Sequence, residues 1–333
     1  MWLLRKISFP ISLVYALVVY LRNYLYDTKV LSSRSFKTPT ICIGNLSVGG
    51  TGKTPMIEFL VLQFKDTYDL AVLSRGYGRK TKGFLEATPN SKVEEIGDEP
   101  FQIHSKFPEI KVVVNEDRCN AISRIEKEFK SDLILLDDAF QHRKVTPSVY
   151  ILLTTYQNLY SNDWYLPTGN LRDSKREAKR ADIIVVTKCS SDISVVEQKI
   201  IMDKLKPGSN QKVLFSYLEY GETMVGNCSC ISLENFKNQK ITLVTGIANP
   251  TPLLNHLNSI GIDYEHLKYK DHHFFTQKEL DEFNERKVIL TTEKDYVRLK
   301  NKVENLYFIS IKHKFIGNGK EEIEKIIANV IKQ

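Results

Sequence analysis

The sequence predicts an α/β fold: a doubly wound, mainly parallel sheet followed by a smaller second α/β unit. Three observations predict it. Short apolar runs recur along the chain and are continuous rather than alternating, as in parallel strands covered on both faces. Helical segments separate several of these runs. A glycine-rich turn, GNLSVGGTGKTP at residues 44–55, joins the first run to the first helix.

TPTICIGN predicts a strand at about 39–44, and GKTPMIEFLVLQF a helix with Pro55 in its first turn, where a missing N–H is harmless. Strands follow at about 68–74, 110–114, 132–137, 148–154 and 181–187, with helices at 116–130 and 174–180 among them. KVLFSYLEY (212–220) reads as an extended connector. The second α/β unit starts at 240–250, continues through 287–295 and 305–312, and ends in a helix at 320–331. The expected organisation is an N-terminal helix (1–30), a nucleotide-binding and catalytic domain (31–212), a linker (213–239) and a C-terminal α/β domain (240–333).

The N-terminus has its own character. Ile7 to Leu21 carries no charge, with Lys6 before it and Arg22 after it. As a helix it is roughly 22 Å long, short of the ~30 Å hydrocarbon core of a bilayer. No small-residue cleavage site follows it. The expectation is a retained helix lying in a membrane interface, with Trp2, Tyr15, Tyr20 and Tyr24 suited to that zone. The net charge of +7 over 333 residues suits an anionic substrate or membrane surface. The chain has no low-complexity tract and no solenoid repeat. The five cysteines (Cys42, Cys119, Cys189, Cys228, Cys230) are scattered; only the last two are close, without a second pair for a zinc site, and all are expected to be reduced thiols.

The turn at 44–55 carries the chemistry. Strand, glycine-rich turn and helix start come in the order a P-loop requires. Backbone N–H groups of Ser47, Val48, Gly49, Gly50, Thr51 and Gly52 can surround phosphate oxygens. Lys53 can neutralise them and the Thr54 hydroxyl can ligate Mg²⁺. The general pattern asks for glycine where Ser47 stands, which alters the loop's entry but not its phosphate-facing half. An acid is expected at a neighbouring strand end, and DLILLDDAFQH supplies Asp137 and Asp138, with His142 four residues later. SRGYGRK places Arg75 and Tyr77 in a basic loop. Arg118 falls in a first helical turn, where the dipole disfavours a cation unless an anion is near. LPTGNLRDSKREAKR carries Arg172, Asp173 and a cationic run. GDEP offers Asp98 and Glu99, expected as a helix cap and first-turn acid, and DHHFF offers Asp271, His272 and His273. An acid oriented by a histidine is a sound base for an alcohol. A guanine-binding [NT]-K-x-D is absent: TKCS has Ser190 in the acid's place.

Together, GNLSVGGTGKTP, SRGYGR, GDEP, DDAFQH, LPTGNLR, TGIANP, DHH and TTEKD, in this order, resemble the tetraacyldisaccharide 4′-kinases of lipid A synthesis, whose loop typically has Thr or Ser at the Ser47 position. The resemblance covers roughly residues 1–300. It implies a P-loop NTPase-like sheet, ATP and Mg²⁺ as cofactors, and the 4′-hydroxyl of an acylated glucosamine disaccharide 1-phosphate as acceptor. It implies a monomer at the cytoplasmic face of a bacterial inner membrane, with no nucleic-acid partner. By motif, Lys53 and Thr54 take phosphates and Mg²⁺, Asp138 is the metal acid, and Asp98 is the base assisted by His272. Asp137, His142, Arg118, Arg172, Asp173, Arg75 and Tyr77 surround them. Asp173 departs from the family's usual Glu. A soluble metabolite kinase would share the P-loop but not need the apolar N-terminus, and a non-enzymatic membrane-bound nucleotide sensor would bind ATP and keep it.

Overall fold

The computed structural model describes residues 5, 7–226, 229–237, 239–271 and 273–332. Cys228 and His272 lie outside them. Helix α1 (Phe9–Asp27) is followed by β1 (Thr40–Asn45), α2 (Lys53–Phe64), β2 (Leu70–Ser74), β3 (Leu85–Glu86), α3 (Val93–Ile96), α4 (Asp98–Lys106), β4 (Lys111–Val114), α5 (Arg118–Glu128), β5 (Leu133–Asp137), β6 (Val149–Thr155), β7 (Ile183–Thr187) and α6 (Val195–Leu205). The run at 175–180 is a 3₁₀ helix. The chain continues through β8 (Lys212–Gly226), β9 (Cys230–Ser232), β10 (Ile241–Thr245), α7 (Thr251–Ser259), β11 (Tyr264–Lys268), α8 (Gln277–Asn284), β12 (Ile289–Thr292), α9 (Glu293–Leu299), β13 (Leu306–Phe315) and α10 (Gly319–Ile331).

Among the described residues these strands form one sheet in the order β11-β10-β12-β13-β8-β7-β6-β1-β5-β2-β4-β3, with β9 paired to β8. Pairing is parallel throughout except at the β3 edge, at β9 and where β8 meets β13. The expected α/β class with a mainly parallel sheet is therefore observed. The segment read as an extended connector is the start of β8. Its first residues, Lys212 to Phe215, pair parallel with β7, and the stretch from Ser216 to Gly226 pairs antiparallel with β13. One strand thus carries the hydrogen-bond ladder from the P-loop side to the second unit.

β1 is buried along its whole length. Alternate side chains leave opposite faces of a strand. Ile41 and Ile43 join a core under α2, and Cys42 joins the core under α5 and α6. The last helix, α10, returns to the first of these cores and buries Ile323 and Ile327 there. Gly44 is required by packing, since a Cβ there would lie 2.6 Å from the Phe140 Cβ.

α1 inverts the usual amphipathic arrangement. Its inward side is largely polar. Ser12 Oγ lies 2.8 Å from Thr168 Oγ1, Tyr15 Oη donates to the Arg172 carbonyl at 3.0 Å, and Asn23 Nδ2 donates to Asp173 Oδ1 at 2.8 Å. Arg143 ties the far end through Asp27 at 2.6 Å. The outward side carries Ile11, Leu13, Val14, Leu17, Val18 and Leu21, with Leu17 65% exposed. Phe9 packs edge-on against the exposed Trp164, ring centroids 5.8 Å apart. Among the described residues no helix is long and apolar enough to cross a membrane.

Candidate active site

The loop between β1 and α2 is held by its backbone and by its neighbours. Gly49 and Gly52 have φ of +116° and +88°, a region that L side chains avoid. Asn45 Nδ2 donates to Thr51 Oγ1 at 2.9 Å, and Thr187 Oγ1 to the Thr51 carbonyl at 2.8 Å. The His313 ring lies 3.0 Å from the Gly52 carbonyl through Nε2 and 3.1 Å from Ser216 Oγ through Nδ1. Burial pushes His313 down to about 4, so its neutral ring donates to Gly52 and accepts from Ser216. Ser47 has no positive φ, and its hydroxyl donates to Asp163 Oδ2 at 3.0 Å. Val48 N–H donates to the Asn170 carbonyl at 2.8 Å. The serine thus anchors the loop's entry to the segment leading to Arg172.

Lys53 and Thr54 open α2. Lys53 Nζ lies 3.7 Å from Asp138 Oδ1. Arg172 holds the same carboxylate, with Nη1 3.0 Å from Oδ2 and Nη2 in close contact with Oδ1, and also bonds Asn45 Oδ1. Asp138 sits just past β5 with φ +46°. Burial pushes its carboxyl upward, but the Arg172 hydrogen bond and the charges of Lys53, Arg172 and Arg118 outweigh this and hold it below its ordinary value. Asp137, the last residue of β5, behaves oppositely. Burial first, then the charges of Glu99 and Asp138, push it up to about 7. Ser74 Oγ donates to Asp137 Oδ2 at 2.9 Å, while its buried Oδ1 has no hydrogen-bond partner.

Arg118 lies in the first turn of α5 and is buried. Its Nη2 donates to the Asp137 carbonyl at 3.3 Å and its Nη1 to the Asn115 carbonyl. Burial lowers it to about 10, which still leaves it cationic at neutral pH. His142 is pushed down to about 4 by burial and then by Arg118, so it is neutral there, with Nε2 buried and unpartnered. Asp173 is fully buried and accepts from Asn23 Nδ2 and its neighbour Ser174 N–H. It joins the loop to α1.

Arg75 and Tyr77 are exposed in the loop after β2. That loop packs on the GDEP segment so closely that a Cβ on Gly97 would lie 2.9 Å from the Tyr77 carbonyl. Gly97, not Asp98, occupies the cap position; Asp98 is the first residue of α4 and is buried. Arg298 Nη2 of α9 makes a close ion pair with Asp98 Oδ2. Arg298 Nη1 reaches Asp295 Oδ1 at 3.1 Å, and Asp295 Oδ2 accepts from Gly246 N–H at 2.8 Å. His272 lies outside the described residues. Its neighbour Asp271 is 3.8 Å from Lys294 of α9. His273 is engaged in its own unit, 3.1 Å from Glu279 and stacked on Tyr269.

Sequence reading did not single out Arg298, His313 or the group that joins α2, α4 and α9. In that group Lys106 bridges Glu58 at 2.6 Å and Glu293 at 2.7 Å, and Gln102 donates to Glu58 at 2.7 Å. The Asp295–Arg298 spacing was legible as a helical pair; its reach to Asp98 was not. Among the described residues no group of three or more His, Cys, Asp or Glu is arranged to hold a metal.

A phosphate loop at the end of β1, with paired carboxylates at the end of the adjacent β5, defines a P-loop nucleotide-binding protein. A sequence profile for LpxK, tetraacyldisaccharide-1-P 4′-kinase, matches residues 4–332. The tetraacyldisaccharide 4′-kinase of Flavobacterium johnsoniae is 46% identical, covering 99% of this chain and 98% of that protein. That of Bacteroides thetaiotaomicron is 42% identical over 89% of this chain and 83% of its own. The crystal structure of "apo" form LpxK from Aquifex aeolicus in complex with ATP superposes with a TM-score of 0.81 at 28% identity, covering 98% of this chain and 99% of that one. The chain belongs to the tetraacyldisaccharide-1-P 4′-kinase family and is a kinase.

Proposed function

We propose that the chain transfers the γ-phosphoryl group of ATP to the 4′-hydroxyl of an acylated glucosamine disaccharide 1-phosphate, giving the bis-phosphorylated lipid of lipid A synthesis. One observation carries the reading: the phosphate-loop cluster and the outward apolar helix are joined through adjacent residues. Arg172 holds Asp138 beside Lys53, while its carbonyl and the next side chain, Asp173, are bonded by α1. A site for phosphate therefore stands against a surface suited to acyl chains.

In the mechanism, loop N–H groups and Lys53 hold the β- and γ-phosphates, and Arg118 and Arg172 add positive charge. The 4′-oxygen attacks the γ-phosphorus and its proton passes to Asp98; the bond to ADP breaks. His272 assists Asp98. Asp98 meets α9 through Arg298, and Asp271, the residue before His272 in sequence, meets it through Lys294, which supports the pairing. The residues present fit Mg²⁺, because Asp137 leaves a buried carboxylate oxygen without a partner. Thr54 and Asp138 would hold the ion with that oxygen at hand, and when bound it neutralises phosphate charge. Tests of the reading use γ-labelled ATP and tetraacyldisaccharide 1-phosphate in detergent micelles with Mg²⁺. Labelled lipid is expected with the wild type and not with Lys53→Ala. ATP binding without labelled lipid would discard the acceptor.

The helix is proposed to hold the protein at the cytoplasmic face of the inner membrane without spanning it. Leu17→Glu together with Val14→Glu, both on the outward side, is expected to release the protein from anionic vesicles in a flotation assay. ADP affinity should stay within twofold of wild type. Retained flotation would place the membrane contact elsewhere.

A further inference from the structure

Lys188 was noted in the sequence only as part of TKCS, a segment that fails as a guanine motif. The structure gives it another place. It follows β7, whose final residue Thr187 is fully buried and bonded to the Thr51 carbonyl of the phosphate loop at 2.8 Å. The end of β7 is therefore fixed to that loop. Lys188 takes φ +57°, a left-handed conformation that a non-glycine residue adopts at a cost. Its Nζ lies 3.9 Å from where a Cβ on Gly50 would stand, so the ammonium lies over the bare glycine face of the loop.

Two comparisons sharpen this. The charge of Lys53 is shared with Asp138 at 3.7 Å, whereas Lys188 has no hydrogen-bond or ion-pair partner among the described residues. Burial alone lowers its pKa, with no neighbouring acid opposing the shift. His313, close enough to feel the charge of Lys188, is itself held neutral by burial, and the neighbouring Cys189 thiol is pushed up by burial to about 11. A half-buried ammonium without a counter-ion is unfavourable, and a phosphate oxygen in the loop would supply the missing charge.

We infer that Lys188 is a second phosphate-binding lysine of the nucleotide site, acting from the end of β7 beside Gly50. The inference rests on the nucleotide reading of the loop. It differs from the alternative in which the lysine's stem lies against the nucleoside, as the related T-K-x-D arrangement would suggest.

The test is calorimetric titration of the full chain with ADP, beside adenosine, for wild type, Lys188→Ala, Lys188→Met, Lys188→Arg and Lys53→Ala. Removing the charge should weaken ADP binding about tenfold or more in both the alanine and methionine variants. Arginine should stay within a few-fold of wild type, adenosine affinity should not move, and unfolding midpoints without nucleotide should match. Methionine binding like wild type while alanine is weak would assign the stem to the nucleoside and overturn the phosphate contact. Wild-type affinity in all Lys188 variants would make it a solvated lysine. Failure of the wild type to bind ADP would instead overturn the nucleotide reading, and this inference with it.

Discussion

Replacing Asp98 with asparagine is expected to lower kcat by about 10²–10⁴-fold, the usual contribution of a general base, while leaving ADP affinity within a few-fold. Asparagine keeps the size of the side chain and an oxygen for Arg298, but it cannot take a proton at neutral pH. The choice of substitution matters. Asp98 is buried against Arg298, so alanine would remove one buried charge partner of that guanidinium and lower stability as well. Asparagine separates chemistry from folding, and the split between kcat and nucleotide affinity reads out the role. Equal losses in both would remove Asp98 from the position of base and leave it as a strut between α4 and α9.

Asp137→Asn should stabilise the protein at high pH and weaken its activity. Burial and neighbouring acids push this carboxyl up to about 7 from an ordinary value of 3.8. A carboxyl raised on folding binds its proton more tightly in the native state, so stability falls as pH rises from about 4 to about 7. Asparagine has no such proton. The stability of the variant relative to wild type should therefore be lowest near pH 4 and grow to on the order of a few kcal/mol by pH 7 to 8. It would appear as several degrees in the thermal midpoint. His142 and His313, both held near 4, act in the opposite sense: the native state loses stability as pH falls from about 6.5 toward 4. Both proteins carry them, so they largely cancel in the difference. A difference independent of pH would show that Asp137 is not a strained anion. Loss of activity together with gained stability is the expected signature of a charge kept for its site.

Much of this was legible in the sequence because strands and phosphate loops are local. Continuous apolar runs marked β1, β2 and β4 to β7 to within a residue or two, and the glycine turn fell between β1 and α2 as read. The outward apolar side of α1 follows from an uncharged stretch that no core covers. Residues joined across the fold were not legible. Arg298 reaches Asp98 across 200 positions and His313 reaches Gly52 across 261. Neither stands in a pattern of its own; the long strand β8 and its partner β13 bring them there. Asp138 was readable as an acid at a strand end, but its pairing with Arg172 and the stranded oxygen of Asp137 depend on burial, which two adjacent aspartates in a sequence do not differ in. Ser47 was readable only as tolerable, and its bond to Asp163 gives it a task.

The most direct measurement is a phosphorus–proton correlation NMR spectrum of the lipid product made from tetraacyldisaccharide 1-phosphate, ATP and Mg²⁺. A new phosphomonoester coupled to the proton on C4′ of the distal glucosamine is expected, with the 1-phosphate unchanged. Coupling to any other ring proton would contradict the 4′-hydroxyl as acceptor, and ADP release with no new phosphoester would contradict phosphoryl transfer to this lipid.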